Sequence, residues 1–383
     1  MSQPGQDLNK LVAELNQGLE SPDLELRREE AGPSPELDAM LRQARSRGAS
    51  DLLLVAGAPV AFRVDGRMER DAGAALEGDQ IRRLLVPLLT SAQQKELERN
   101  RSVDFCFTWK GTGRFRVNVH YQRGTVAGSL RLLPLKVPTL QSLNLPPGLR
   151  RLAEGRQGLV LVTGATGSGK SSTLAALLDI VNAERQDHIV TIEDPVEYVH
   201  PSRKSIVEHI EVGPDAPDFA TSIRSIVRQS PDVILVGEMR DPETIQTVLT
   251  AAETGHLVFS TLHTNDASQA VSRILDSFPM SNQPQIRQQL SLALSAIVAQ
   301  QLVPSRTGAM MPALEILHAT HAVRNTIRKG DDHQLYTLIS TGRADGMTTM
   351  EQSLAEMAKA GRISEETALS RCFRPSEIRR YLA

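Results

Sequence analysis

The chain has 383 residues, enough for two or three compact domains, and its 40% apolar and 23% charged residues are typical of a globular protein. Its 43 lysines and arginines nearly balance its 45 aspartates and glutamates, which argues against a nucleic-acid-binding protein that depends on overall positive charge. Its two cysteines, Cys106 and Cys372, exclude a four-cysteine zinc site and disfavour a disulfide framework.

The N-terminal segment gives no sign of a signal peptide, since the residues that follow Met1 lack an apolar core. The most apolar stretch, 290–303, is interrupted by serines and glutamines, which makes it a poor membrane span. We therefore expect a cytosolic protein without direct membrane insertion. Residues 1–35 mix acids, proline and glycine with a few leucines, and they predict a flexible N-terminal extension.

A small α+β domain is predicted over residues 36–145. Apolar residues at helical spacing are followed by alternating runs that predict short strands and an antiparallel meander. The predicted elements are a helix at 37–44, strands at 51–55 and 60–65, a helix at 81–89, and strands at 103–109, 114–121 and 126–132. A proline- and glycine-rich sequence closes this domain, and we expect a linker at 146–156.

The rest of the chain, 157–383, predicts an α/β domain. Four short apolar runs rich in β-branched residues are typical of strands buried on both faces of a parallel sheet. They lie at 159–163, 189–192, 233–236 and 257–262, and the helices between them include 171–181 and 242–252. From about residue 282 the sequence predicts mostly helices, with one strand at 313–317.

The segment after the first of these strands predicts a phosphate-binding loop. Residues 164–171, GATGSGKS, match the G-x-x-x-x-G-K-[ST] motif in full, with a strand before the loop and a helix after it. The predicted ATP-binding residues are Gly164, Thr166, Gly167, Ser168, Gly169, Lys170, Ser171 and Ser172. Backbone N–H groups would surround the phosphates, Lys170 would reach the β- and γ-phosphates, and the Ser171 hydroxyl would bind Mg²⁺. A glycine-rich structural turn is the alternative.

Polar residues follow the later strands, and the carboxyl ends of parallel strands meet at one edge of a sheet, beside the phosphate-binding loop. Gly237 stands where an aspartate usually ends a Walker B strand, and Glu238 comes next. Glu238 is the candidate that takes a proton from the attacking water or aligns it. Glu193 is the rival for water or metal. Solvated loop acids are the alternative for both.

Two histidines flank the fourth strand of this domain. His263 follows its carboxyl end, which favours a role as a γ-phosphate sensor or relay. His256 lies seven residues earlier, so the two side chains are roughly 23 Å apart on one strand and cannot share a metal ion. We expect His256 to be structural.

Four motifs together resemble those of the PilT-type twitching-motility ATPases of the secretion-ATPase superfamily. They are GATGSGKS at 164–171, TIEDPVE at 191–197, DVILVGEMRD at 232–241 and AAETGHLVFSTLHT at 251–264. The similarity extends from about Leu37 to Leu382. The resemblance implies a PAS-like N-terminal α+β domain, a RecA-like P-loop ATPase core and a helical C-terminal region.

The resemblance also implies a function: ATP hydrolysis with Mg²⁺ that powers type IV pilus retraction. It implies a homohexamer that lies in the cytoplasm, peripheral to the inner membrane, and acts on a PilC-type platform protein. Arginines of the N-terminal domain would reach the bound phosphates, and Arg116 and Arg131 match those positions. Without the resemblance, arginines on an antiparallel sheet are commonplace.

The subtype and some alternatives stay open. GEMRD at 237–241 resembles the main retraction motor, whereas IVAQQLVP at 297–304 resembles the PilU-like accessory motor, so a paralogous PilT/PilU ATPase is an expected partner. The alternatives are a pilus assembly or type II secretion ATPase, a nucleotide-binding accessory subunit that regulates a paralogous motor, and a DNA translocase. The missing cysteines disfavour the first, and the full set of catalytic residues disfavours the second. The charge balance and the scarcity of aromatic residues disfavour the third.

Overall fold

A computed structural model describes residues 32–383, which form two compact units divided between Leu133 and Pro134. Most of the predicted N-terminal extension, 1–35, lies outside the described residues. The division falls before the domain end expected at 145. Leu149 and Leu152, which belong to the expected linker, are buried in a core of the second unit.

The first unit is a six-stranded antiparallel sheet with helices on one face. In chain order it contains α1 (Pro35–Ser46), β1 (Asp51–Leu54), β2 (Ala61–Val64), β3 (Arg67–Arg70), α2 (Gly78–Leu85), α3 (Ser91–Asn100), β4 (Ser102–Trp109), β5 (Gly113–Gln122) and β6 (Thr125–Leu132). The strand order is β3-β2-β1-β6-β5-β4. The predicted helix at 37–44 and the predicted meander are confirmed within a residue or two at each end.

Alternation along the strands determines which face of this sheet is buried. On β5, Phe115, Val117 and Val119 are fully or almost fully buried, and the residues between them are only partly buried. Leu41 of α1 and Leu85 of α2 belong to the same apolar core. One covered face and one polar face are usual for an antiparallel sheet, and here the polar face carries arginines.

The second unit has a seven-stranded sheet in the order β13-β12-β7-β11-β10-β8-β9. In chain order the unit contains α4 (Arg151–Glu154), β7 (Gly158–Thr163), α5 (Lys170–Glu184), β8 (His188–Glu193), β9 (Ile206–Glu211), α6 (Phe219–Ile226), β10 (Val233–Val236), α7 (Pro242–Glu253), β11 (Leu257–Leu262), α8 (Ala267–Asp276), α9 (Gln283–Ala293), β12 (Leu294–Pro304), β13 (Met310–His318), α10 (His321–Lys329), α11 (Leu335–Thr341), α12 (Met350–Lys359), α13 (Glu365–Arg371) and α14 (Pro375–Leu382). Only β13 runs antiparallel to its neighbour.

This sheet is the α/β fold that the sequence predicts. Every residue of β7, β10 and β11 is buried, because helices cover both faces of the sheet. The parallel strands therefore bring their carboxyl ends to one edge, where the loop 164–169 follows β7. None of the helices within residues 32–383 is long and apolar enough to cross a membrane.

Strand β12 corrects the expectation of mostly helical structure after residue 282. The run AIVAQQLV fits either a buried helix or a buried strand, since periodicity alone does not separate the two. In the structure β12 pairs with β7 on one side and β13 on the other, so its backbone groups are satisfied as a strand. The helices after β13 agree with the prediction.

Strands β3 and β9 and helix α3 were also not predicted. Strands β3 and β9 lie at sheet edges and are rich in charged or polar residues, so they lack the apolar signal of a buried strand. Helix α3 has a single buried residue, Leu97. Its N-terminus is nonetheless encoded locally, because Thr90 and Gln93 form a capping box.

Candidate functional site

The loop between β7 and α5 has a conformation that depends on glycine. Gly164, Gly167 and Gly169 have φ angles of 146°, 78° and 88°, in a region that other residues rarely adopt. A Cβ atom on Gly164 would lie 2.2 Å from the carbonyl oxygen of Gln300 on β12. The strand next to β7 therefore fixes the path of the loop. Thr166 and Gly167 are exposed at its tip, whereas Ser168 is buried.

Lys170 begins helix α5 and folds back over the loop. Its ammonium donates hydrogen bonds to the carbonyl oxygens of Gly164 (2.8 Å) and Ala165 (3.1 Å). Burial lowers the pKa of this ammonium, and the carboxylates of Glu238 and Glu197 oppose the shift. An ammonium carries three donors, so one N–H is left for a phosphate oxygen.

Ser171, the residue after Lys170, lines a small cavity beside the loop. Ser171, Glu193 and Thr261 line this cavity, together with the ring of Tyr198. The Ser172 hydroxyl lies 2.7 Å from the hydroxyl of Tyr198, which joins α5 to the segment after β8. Tyr198 directly follows the motif 191–197, and no pattern in the sequence singles it out.

The donors at this cavity fit Mg²⁺. Ser171 offers a hydroxyl and Glu193 a carboxylate, and hard oxygen ligands with water and phosphate completing the shell are what Mg²⁺ prefers. Within residues 32–383 no group of three or more His, Cys, Asp or Glu side chains could hold a metal ion.

Glu238 follows β10 and is held from two sides. The Nε2 atom of His263 lies 3.2 Å from its Oε1, and the Nε atom of Arg240 donates to its Oε2 at 2.8 Å. The side chain of Glu238 is 20% exposed and that of His263 is 44% exposed, so solvent or substrate can reach both. The structure thus brings into contact two residues that the sequence places after neighbouring strands.

Glu193 ends β8, the strand beside β10, and its Oε2 accepts the N–H of Glu197 at 3.4 Å. Glu193 lies on the cavity that Ser171 lines, whereas Glu238 contacts His263. This arrangement favours Glu193 for the metal side of the site and Glu238 for the water side. His256 is at the opposite end of β11, where its ring contacts the carbonyl of Ala251 at 2.8 Å, as a structural residue would.

Three hydroxyls at the carboxyl edge lack a hydrogen-bond partner among the described residues: those of Thr163, Ser168 and Thr264. All three residues are less than 9% exposed. A buried hydroxyl without a partner costs free energy, and most such groups in proteins are satisfied. Their concentration around the glycine loop indicates a site for a polar ligand.

Arg116 and Arg131 lie on the polar face of the first unit. The two arginines face each other on neighbouring strands. Asp51 faces Arg131 on the next strand, and Arg63 faces Asp51 on the one after, so the four residues form one row across the sheet. Asp51 binds Arg131 at 3.0 Å and Arg63 at 3.5 Å. Like charges on opposite strand positions repel, so a row with one carboxylate and three guanidinium groups is suited to an anion.

Gln300 is the principal site residue that the sequence did not single out. It lies on β12, it is 4% exposed, and its side-chain amide contacts the glycine loop and helix α5. The available signal was a pair of glutamines inside an otherwise apolar run, at 300 and 301. A buried amide in such a strand needs partners, but the sequence does not reveal which ones.

A model of the family described as type II/IV secretion system protein matches residues 28–331. The chain belongs to this family. It is 43% identical over 333 residues to the type IV pilus retractation ATPase PilT of Pseudomonas aeruginosa, which covers 87% of this chain and 97% of that protein. It is 39% identical over 345 residues to the type IV pilus ATPase PilU of the same organism, and this match covers 90% of each chain.

Solved structures agree with this assignment. The crystal structure of the pilus retraction motor PilT with bound ADP matches with a TM-score of 0.83 and 44% identity, over 89% of this chain and 98% of the other. The ATPase DotB of Legionella pneumophila matches with a TM-score of 0.74 and 28% identity, over 89% of this chain and 96% of DotB. The resemblance to PilT/PilU-type ATPases that the sequence predicts is confirmed by these comparisons.

Proposed function

We propose that the chain is a hexameric ATPase motor that powers type IV pilus retraction. One observation carries the proposal: a chain that matches 97% of PilT at 43% identity also brings the glycine loop, Glu193, Glu238 and His263 to one edge of its sheet. The similarity to both PilT and PilU leaves a main and an accessory motor as subtypes of the same function.

Nucleotide binding follows from the chemistry of the loop. N–H groups of residues 164–171, with the helix α5 N-terminus behind them, would surround the phosphates of ATP. Lys170 would give its remaining donor to the β- and γ-phosphates. Ser171 and Glu193 would hold Mg²⁺, which neutralises charge on the β- and γ-phosphate oxygens when bound.

Hydrolysis needs a water molecule placed in line with the γ-phosphate. In this proposal Glu238 takes a proton from that water. The oxygen of the water bonds to the γ-phosphorus, and the bond between the γ-phosphorus and the oxygen that bridges it to the β-phosphate breaks. His263, in contact with Glu238, would sense the γ-phosphate or relay the proton. The products are ADP and inorganic phosphate.

The first unit would supply arginine side chains to the phosphates. We propose this role for Arg116 and Arg131 because the row they form has more guanidinium groups than carboxylates. Guanidinium forks match phosphate oxygens and offset the charge that develops in the transition state. The antiparallel sheet with helices on one face is compatible with the PAS-like domain that the family resemblance implies.

We further propose which proteins this motor works with. A homohexamer would act on a PilC-type platform protein at the cytoplasmic face of the inner membrane, and a paralogous PilT/PilU ATPase would share the task. No nucleic acid is part of this function. The hexamer would be held at the membrane through its contacts with the pilus machine.

An assay of the purified full chain tests the enzymatic part of the proposal. Native mass spectrometry should find six subunits, and phosphate release from MgATP should depend on added Mg²⁺. A hexamer that binds nucleotide but does not release phosphate would favour the accessory subunit. A chain that binds no nucleotide would contradict the proposal.

A further inference from the structure

Gln300 joins the phosphate-binding loop to the helix that follows it. Its Nε2 donates to the carbonyl oxygen of Ser168 at 2.6 Å, and its Oε1 accepts the hydroxyl of Thr173 at 2.8 Å. Both ends of the amide are therefore used, and the residue is 4% exposed. Neither partner is near in sequence, since they lie 132 and 127 positions away.

The glycines of the loop make room for this contact. Ala299 on β12 is level with Thr163 on β7, so Gln300 lies beside Gly164. A Cβ atom on Gly169 would lie 2.9 Å from the Nε2 atom of Gln300, and one on Gly164 would lie 2.2 Å from its carbonyl oxygen. Two glycines of the motif thus serve the close approach of β12 as well as the turn.

The bond to Ser168 determines the direction of the next N–H group. A trans peptide is planar, and its C=O and N–H point in opposite directions. When Gln300 holds the Ser168 carbonyl toward β12, the N–H of Gly169 in the same peptide points away from β12. That N–H belongs to the set that binds phosphate oxygens in such loops.

We propose that Gln300 is a positioning residue for nucleotide, which keeps the Ser168–Gly169 peptide in its phosphate-binding orientation. The proposal rests on the nucleotide-binding function proposed above. The hydroxyl of Thr173 lies 2.8 Å from Oε1 and 3.2 Å from the carbonyl oxygen of Gly169, and its bond to Oε1 leaves Nε2 to face Ser168. Gln300 acts on binding through the loop and does not touch the reacting atoms.

The test compares Gln300→Met with Gln301→Met. Methionine has nearly the length of glutamine without its donors, and Gln301, the next residue of β12, donates instead to the Arg371 carbonyl at 3.0 Å. The dissociation constant of a fluorescent ADP and the KM and kcat for MgATP are measured on the hexamer. Gln300→Met should weaken ADP binding and raise KM about tenfold, as expected for losing a buried hydrogen bond. Its kcat should change by less than about threefold, and Gln301→Met should bind like wild type.

A second variant, Thr173→Val, removes the hydroxyl with little change of shape. It should weaken ADP binding about threefold. The loss in the double variant should be smaller than the two single losses combined, because part of the Thr173 effect passes through the Gln300 amide and part through the Gly169 carbonyl. If Gln300→Met does not fold, Gln300→Leu takes its place: unchanged ADP binding overturns the proposal, and weakened binding supports it. If wild type and Gln300→Met bind ADP equally, the role of Gln300 is wrong while nucleotide binding stands. If wild type does not bind, the proposed function itself fails.

Discussion

The Nε2 atom of His263 lies 3.2 Å from the Oε1 atom of Glu238, although the two residues end different strands. Arg240 holds the other oxygen of the same carboxylate at 2.8 Å. A carboxylate that is held at both oxygens has a defined orientation. The contact gives Glu238, the base we propose, a histidine partner, whereas Glu193 lies on the cavity that Ser171 lines.

Replacing Glu238 by glutamine tests this division of roles. Glu238→Gln keeps the shape of the side chain and removes the base, so ATP should still bind while turnover falls about a hundredfold or more. Steady-state phosphate release and fluorescent-nucleotide binding measure the two effects. Normal turnover by Glu238→Gln together with an inactive Glu193→Gln would show that the two carboxylates have the reverse roles.

Lys170 is expected to be the principal cation for the phosphates. Lys170→Ala removes that charge and also the two bonds to the loop carbonyls, so ATP hydrolysis should fall about a hundredfold or more. Lys204→Ala, at an exposed lysine of the same unit, is the matched control and should hydrolyse normally. Substantial hydrolysis by Lys170→Ala, in a preparation free of other ATPases, would contradict the loop assignment.

Arg116 and Arg131 are expected to affect turnover more than assembly. Arg116→Ala and Arg131→Ala each remove an exposed or half-exposed guanidinium group, so the fold and the hexamer should persist while turnover falls about tenfold or more. Arg70→Ala, on the exposed strand β3 of the same sheet, is the control. If both variants hydrolyse ATP normally, the arginine assignment is wrong.

The buried carboxyl of Glu315 should make the stability of the protein depend on pH. It is 1% exposed on β13, and its Oε1 accepts the N–H of Ala267 at 2.9 Å. Burial, followed by repulsion from Asp266 and Glu351, raises the pKa of its carboxyl to about 7. Because the pKa is raised on folding, the stability from this group is complete below the unfolded value, 4.5, and is lost as pH rises to about 7.

A glutamine at position 315 would stay neutral across this range and could still accept the Ala267 N–H. Glu315→Gln should therefore gain stability relative to wild type between pH 5 and pH 8, by up to about 3 kcal/mol. Thermal unfolding at several pH values measures the difference. Glu356→Gln, at an exposed glutamate, should show no such trend. A difference between wild type and Glu315→Gln that does not change with pH would contradict the prediction.

The sequence predicted the parts of the site that depend on local pattern. The glycine loop has a motif, and Glu193, Glu238 and His263 each follow an apolar run, so the rule for parallel strands was enough to bring them together. The sequence did not predict that β12 is a strand, because its apolar run carries no period that separates strand from helix. Contacts such as Gln300 with Ser168 and Asp51 with Arg131 join residues 132 and 80 positions apart, and they follow only from the sheet register.

The direction of the motor is tested by imaging labelled pili on living cells. The strain should lack this chain and every other PilT-type ATPase, and it should be complemented with wild type, with Glu238→Gln or with an empty vector. We expect pili that extend but do not retract with the empty vector and with Glu238→Gln, and retraction restored by wild type. Cells without this chain that make no pili would contradict the account. So would pili that stay extended when wild type is restored both alone and together with a paralogous PilT-type ATPase.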